Sequence, residues 1–342
     1  MTTLFLEPLD VLYLRGNQHF GNPGAHGAAL MPPWPSLAAG ALRSRLMVEG
    51  ETLETLADFR LIHFGLAQRD GEHAAPLLPL PTDVLVTADA LNDARYAVPT
   101  ALPAGIASSH ILPRLPVFCL DKPTKPIGGL WLNANGIHAW LAGKPIGAAH
   151  LLRSNQLWQN DPRLGIALDA QTRSAAEGKI YTAEAVAMHK NIGFITVYTG
   201  APDLPVNALI RLGGDGRGAV LRTPTFAFPE PDWTRIEKEG RFRLLLTTPG
   251  LFAAGWQPDG IPATLVAASV QRADTISGWD LLTGKPKPAQ RVAPAGSVYW
   301  FDKLADLALL KLLADNGLPL NDSARRAEGF NQCLIAPWAK EK

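Results

Sequence analysis

The first 47 residues constrain the fold more than any other stretch. An apolar run from Leu4 to Leu14 leads into a loop of glycine, histidine and asparagine. Then come Pro32-Pro33-Trp34-Pro35 and a helix-forming segment, Ser36-Leu-Ala-Ala-Gly-Ala-Leu-Arg-Ser-Arg45. Leu4, Leu6 and Pro8 alternate with Phe5 and Leu9, so both faces are apolar, as in a strand covered on both sides in the middle of a sheet. Ser36 is the expected N-cap of the following helix, and Ala38, Ala39, Leu42 and Leu46 form its apolar stripe. The loop between them, Arg15-Gly16-Asn17-Gln18-His19-Phe20-Gly21, combines conformational freedom, hydrogen-bonding groups and a cation. Such a loop suits a polar or anionic ligand better than a packed core.

At 342 residues the chain is long enough for two domains of about 150 to 200 residues each. Its 31 glycines and 29 prolines imply many irregular connections, where function concentrates. A net charge of +1 argues against capture of nucleic acid by overall charge, so any such contact must be local. Cys119 and Cys333 are too few for a disulfide framework or a cysteine-rich zinc site, and fit a reducing compartment. The start lacks the basic region of a secretory signal, and no apolar run approaches the length that spans a bilayer. Neither secretion nor membrane insertion is expected, and the cytoplasm is the expected location.

Residues 50–160 show few sustained periods beyond a short helix expected near Glu51–Gly65, and read as an insertion. Strands are expected at Leu164–Asp169, Tyr181–Val186 and Gly193–Thr199, giving a β-α-β-β arrangement with the first strand and helix. Further strands are expected at Ala208–Leu212, Phe242–Thr247, Thr264–Val270 and Ser297–Phe301. A helix over Lys303–Ala314 and a last apolar stretch, Cys333–Ala336, follow. The expected architecture is α+β: two ferredoxin-like (RRM-like) domains, at 1–201 and 202–342, the first with its insertion.

Ile210-Arg-Leu-Gly-Gly-Asp-Gly-Arg-Gly-Ala-Val-Leu-Arg222 gathers four glycines and three arginines around Asp215. It reads as a phosphate cradle, with Arg217 at its tip, or as a flexible hairpin turn with solvated arginines. It fits neither the Walker pattern nor the Rossmann fingerprint, so nucleotide hydrolysis is not expected. Gly284-Lys-Pro-Lys-Pro-Ala-Gln-Arg291 holds three cations extended, as a sugar-phosphate contact or a solvated loop. Lys190-Asn-Ile-Gly-Phe-Ile-Thr-Val-Tyr198 echoes an RNP1 strand without its first stacking ring, which puts RNA on loops rather than on the sheet face. The eight histidines show no metal-ligand spacing, and no metal or cofactor is expected. His19 and His26 share the first loop and could act as acid and base in RNA cleavage, with Lys179 or Tyr181 nearby; stacking on or bonding to a ligand is the alternative.

Five stretches in order along the chain resemble the third subunit of the Cmr module, the RAMP-superfamily protein of type III-B CRISPR effectors. They are Phe5–Leu12 with Arg15; Pro33–Arg43; Arg163–Asp169 with Thr172, Arg173 and Glu177–Tyr181; Leu212–Arg217; and Ser277–Asp280 with Lys285–Pro288 and Pro294–Tyr299. The match is loose over 50–160. The first loop and the glycine-rich loop each carry one cation fewer than the family's more usual Arg-Asp-Gly-Arg-Pro-Phe and Gly-Gly-Glu-Arg-Arg.

The resemblance implies two ferredoxin-like RAMP domains, no catalysis, and a subunit that holds the 5′ tag of CRISPR RNA beside the large polymerase/cyclase subunit and the backbone subunits. In such an assembly other chains share the phosphates, which reconciles near-neutral charge with RNA binding. The residues it points to are Arg15, His19, Arg43, Arg173 and Lys179 in the first half. Arg211, Gly213, Gly214 and Arg217 follow in the glycine-rich loop, and Lys285 and Lys287 in the extended cationic segment. The competing expectations are a metal-independent endoribonuclease processing precursor RNA through His19 or His26, and a structural adaptor whose loops meet only protein.

Overall fold

The computed structural model describes residues 1–14, 16, 26–88, 91–105, 111–120, 122, 124–169, 171–280 and 284–338. The first half forms β1 (Thr2–Pro8), α1 (Pro35–Val48), β2 (Arg60–Asp70), β3 (His73–Pro76) and α2 (Ala134–Ala142). After them come the long hairpin of β4 (Trp158–Leu168) and β5 (Ala175–Met188), then β6 (Ile192–Thr199), β7 (Leu209–Arg211) and β8 (Gly218–Arg222). The second half supplies α3 (Trp233–Glu239), β9 (Phe242–Leu246), β10 (Thr264–Ser269), β11 (Val298–Asp302), α4 (Leu307–Asn316), α5 (Ser323–Ala327) and β12 (Cys333–Pro337).

Leu4, Phe5 and Leu6 are fully buried because β1 lies between two partners, antiparallel to β6 on one side and to β8 on the other. The whole sheet runs β7-β8-β1-β6-β2-β3. Counted in chain order, its four central strands stand 4-1-3-2, all antiparallel. α1 covers one face. Its Ala38, Ala39, Leu42 and Leu46 join Leu4, Leu6, Phe194 and Leu221 in a continuous core, and each fully buried leucine contributes about 1.5–3 kcal/mol. The opposite face holds Phe5, Ala67 and Ile195 under Phe226, from the segment that follows β8.

The second sheet, β10-β11-β9-β12, repeats the 4-1-3-2 order with antiparallel neighbours. α3 and α4 close one face, where Ile236, Leu310 and Leu313 meet Phe242, Leu244 and Ile335. The other face packs Leu245, Val266 and Trp300 against Leu132, Ile137 and Trp140. A buried ion pair pins this contact: Arg243 donates to Asp83 at 2.7 Å and to the Trp140 carbonyl at 2.8 Å, while Trp140 Nε1 donates to Asp83 at 2.9 Å.

Several sequence expectations change. The helix expected over Glu51–Gly65 is absent. Turns occupy 53–58 and β2 takes over at Arg60, because pairing with β6 along its length satisfies the backbone and buries Leu61, Phe64 and Leu66. Residues 60–70 are thus part of the first sheet, and Leu78, Leu132 and Trp140 share a core with the second sheet. The strands expected around Leu164–Asp169 and Tyr181–Val186 form the separate β4–β5 hairpin, and β6 is flanked instead by β1 and β2. Ala208–Leu212, expected in the second half, supplies β7 of the first sheet. The apolar run from Leu4 is regular only to Pro8; beyond it Leu12 and Tyr13 make isolated bridges to Val186 and Gly214. α1 begins one residue before Ser36, with Trp34 as N-cap and Pro35 in the first turn, where a missing N–H costs nothing.

Candidate nucleic-acid interface

A cleft of about 420 Å³ opens where α1 meets Ser277–Asp280, Lys287 and the end of α5. Leu42 and Leu46 point into the core, so Arg43, one residue along the helix, is turned onto the cleft wall. Leu14 and Gly16, the residues on either side of Arg15, line the same wall.

The opposite wall is a short ribbon in which Trp279 and Asp280 pair with Pro286 and Lys285. It is closed by Lys287 N donating to the Gly278 carbonyl at 2.9 Å and by Ser277 Oγ donating to the Lys287 carbonyl at 2.9 Å. Beneath it Arg325, only 3% exposed, donates to the Ser277 carbonyl (3.1 Å), to Gln290 (3.0 Å) and to Glu328 (3.0 Å). Lys287 Nζ bonds the other oxygen of Glu328. The Glu328 carboxylate is therefore held by two cations.

Arg43 is placed differently. Its guanidinium lies 4.9 Å over the Phe59 ring, and among the described residues it has no ion-pair or hydrogen-bond partner. Burial lowers its pKa from the ordinary guanidinium value and the nearby charge of Glu328 opposes that shift. The cleft lining carries Arg43, Lys287 and Arg325 against Asp280 and Glu328. A half-buried cation with its N–H donors uncommitted is an anion-accepting group, and a guanidinium matches a phosphate through paired hydrogen bonds.

The glycine-rich loop forms a second patch, packed against Tyr13 beyond β1. Gly214 N donates to the Tyr13 carbonyl at 2.9 Å, and Gly213 has φ 84°, with the same carbonyl 2.8 Å from where a Cβ would stand. The glycines thus serve close packing on Tyr13, which the sequence could not distinguish from a phosphate cradle. Arg217 folds back over the Tyr13 ring at 5.4 Å and donates to Asp10 at 2.7 Å, with Asp215 at 3.7 Å. Arg163, bonded to Asp161 at 2.8 Å, also borders Tyr13. Arg211 is exposed on β7.

Among the residues expected to border RNA, folding brings Arg43 and Lys287 to one cleft and Arg211, Gly213, Gly214 and Arg217 to the other patch. Lys285 stands exposed on the ribbon. Arg173 is set apart, exposed in the β4–β5 turn at φ 54°, its N–H donating to the Asp169 carbonyl. Arg15 and His19 lie outside the described residues, and of Lys179 only the backbone, on β5, is described. His26 pairs through its backbone with Thr182 of β5. Sequence reasoning did not single out Trp34, Tyr13, Trp279, Arg325 or Glu328 as site residues; the available signal was a tryptophan set between Gly278 and Asp280, shortly before the cationic Lys285–Lys287. Among the described residues no cluster of three or more His, Cys, Asp or Glu is arranged to hold a metal, and no helix is long and apolar enough to cross a membrane.

No curated protein matches the chain in sequence. Among solved structures it is similar to a chain of the type III-B Cmr-beta complex bound to cognate target RNA and AMPPnP, with 17% identity, a TM-score of 0.56, and 98% of this chain and 99% of that chain covered. A chain of the type III-B Cmr-beta complex bound to cognate target RNA gives 16% identity and a TM-score of 0.52, over 97% of this chain and 96% of that one. At such identities the likeness speaks for the fold. The family model of the CRISPR-associated protein Cas_Cmr3 matches residues 4–338. A match running from the first buried leucine of β1 to the tryptophan after β12 takes in both sheets and both patches, and the chain belongs to the Cas_Cmr3 family of CRISPR-associated proteins.

Proposed function

We propose that the chain is a non-catalytic subunit of a type III-B CRISPR effector that grips the 5′ tag of the guide RNA. Its protein partners are the large polymerase/cyclase subunit and the backbone subunits, and no membrane is involved. The two sheets are read as two ferredoxin-like RAMP units, a reading supported by the 4-1-3-2 order in each, with the segment after Arg222 joining them. The observation that carries the proposal is Arg43: a half-buried guanidinium, stacked on Phe59 and with no ion-pair or hydrogen-bond partner among the described residues, in a cleft whose other cations, Lys287 and Arg325, are bonded to Glu328. Phosphate contacts of this kind fix the register of a strand without reading its sequence.

In the effector reconstituted with guide RNA, the double variant Arg43→Ala, Lys287→Ala is expected to load less guide and to lose the ultraviolet cross-links between this chain and the tag. Unchanged loading with unchanged cross-links would overturn the reading. Cleavage of repeat RNA by the purified chain in EDTA, abolished by His19→Ala, would replace it with the endoribonuclease. Absence of any RNA adduct on the wild-type chain would replace it with the structural adaptor.

A further inference from the structure

Trp279 stands on the ribbon wall of the cleft with 57% of its surface exposed. Large aromatics normally bury most of their surface, and the chain does so with Trp140 and Trp300, both in the core. The Trp279 strand is held rigidly. Its register against Pro286, the Lys287–Gly278 and Ser277–Lys287 hydrogen bonds and the buried Arg325 under Ser277 fix the backbone on both sides of the indole. Proline after Lys285 and after Lys287 keeps the returning strand extended. An exposed indole on a clamped two-stranded ribbon is a platform, and the cleft it lines carries Arg43, Lys287 and Arg325 against Asp280 and Glu328; Lys287 and Arg325 are both bonded to Glu328, which leaves Arg43, on the other wall, as the cation with uncommitted donors. An exposed ring and an uncommitted guanidinium lining one cleft match a nucleotide, which carries its flat apolar face and its anion together.

We infer that Trp279 is a stacking platform for one unpaired base of the bound RNA, with a flanking phosphate on Arg43. The inference rests on the proposed RNA-binding role and adds to it a contact with a base face. Because every base has such a face, the contact fixes where a nucleotide sits without selecting which one. It acts beside the phosphate contacts, so the two can be separated by mutation.

The test uses the full chain and a short single-stranded oligoribonucleotide carrying the guide's 5′ tag, with a matched set in which one nucleotide at a time is abasic. Wild-type protein is expected to lose roughly tenfold in affinity at one abasic position and little at its neighbours. Trp279→Ala is expected to bind the intact oligonucleotide roughly tenfold more weakly and to show no further loss at that abasic position. Trp279→Phe restores most of the difference, and Arg43→Ala weakens binding while leaving the abasic penalty in place. Equal affinity of Trp279→Ala and wild type for the intact oligonucleotide, with Arg43→Ala still weakened, overturns the platform and leaves the RNA-binding role standing. If neither Arg43→Ala nor Trp279→Ala changes affinity, both fall. An abasic penalty that persists in a folded Trp279→Ala protein assigns stacking to another ring and also overturns the inference.

Discussion

Arg217 donates a 2.7 Å hydrogen bond to Asp10, a residue 207 positions away, so the arginine at the tip of the glycine-rich loop is neutralised within the chain. A phosphate would have to displace that carboxylate, whereas at Arg43 it would meet uncommitted donors. Arg217→Ala is therefore expected to cost little in guide-RNA affinity, and Arg43→Ala about 1.5–3 kcal/mol, the range for a hydrogen bond to a charged group. Asp10→Asn frees Arg217 and is expected to tighten binding at low salt. Titration of labelled RNA at several salt concentrations checks this: Arg43→Ala should flatten the salt slope by about one, and an Arg217→Ala loss as large as that of Arg43→Ala would contradict the ordering.

The contrast between these two arginines shows what a linear reading can reach. β1, β6 and β9 were legible as strands, and β12 as an apolar stretch, because each is a short apolar run that the sheets cover on both sides. β2 was not, since Phe59–Leu66 carries a buried histidine and a glycine, and only its pairing with β6 makes it a strand. The cleft was half legible. Arg43 and Lys287 were marked as cations, but which cation has a carboxylate is decided by partners distant in sequence: Asp10 for Arg217, Glu328 for Lys287. The role of 78–146 was illegible for the same reason, its core residues being completed by β9, β10 and β11.

The Asp83–Arg243 pair joins those two parts of the chain, with both side chains buried. Asp83→Ala strands the guanidinium and removes the acceptor of Trp140 Nε1, and is expected to destabilise the fold by about 3–5 kcal/mol. Replacing both, as Asp83→Leu with Arg243→Met, removes the charges together and should recover much of that loss. Thermal unfolding of the three proteins checks the order; a double variant less stable than Asp83→Ala would mean that the pair contributes net stability rather than registering the two parts.

Gly213 and Gly216 offer an internal control on backbone strain. Both have positive φ, but a Cβ at Gly213 would stand 2.8 Å from the Tyr13 carbonyl, while nothing lies within 4 Å of one at Gly216. Gly216→Ala should cost about 1–2 kcal/mol from conformation alone. Gly213→Ala adds the clash and must push the loop off Tyr13, so its melting temperature should fall further. Equal melting temperatures would show that the loop moves freely and that the Tyr13 contact does not hold it.

His63 gives a stability signature in acid. It is buried on β2 between Phe226, whose ring is 5.6 Å away, and Phe228, at 4.3 Å, and its Nε2 has no hydrogen-bond partner. Burial lowers its pKa to about 3 from an ordinary 6.5. Between those values the unfolded chain holds a proton on this residue and the folded chain does not, so the contribution of His63 is full above pH 6.5 and shrinks as pH falls towards 3. At 1.36 kcal/mol for each pH unit the loss approaches about 5 kcal/mol at the bottom of the window. Protonation would charge a site walled by two phenylalanines of the segment after β8, so that segment should detach first. His63→Leu, which does not titrate, is expected to keep more of its stability from pH 6.5 down to 4 than wild type does, measured as the change in melting temperature. Parallel curves for the two proteins would mean that His63 reaches a partner or solvent in the folded state.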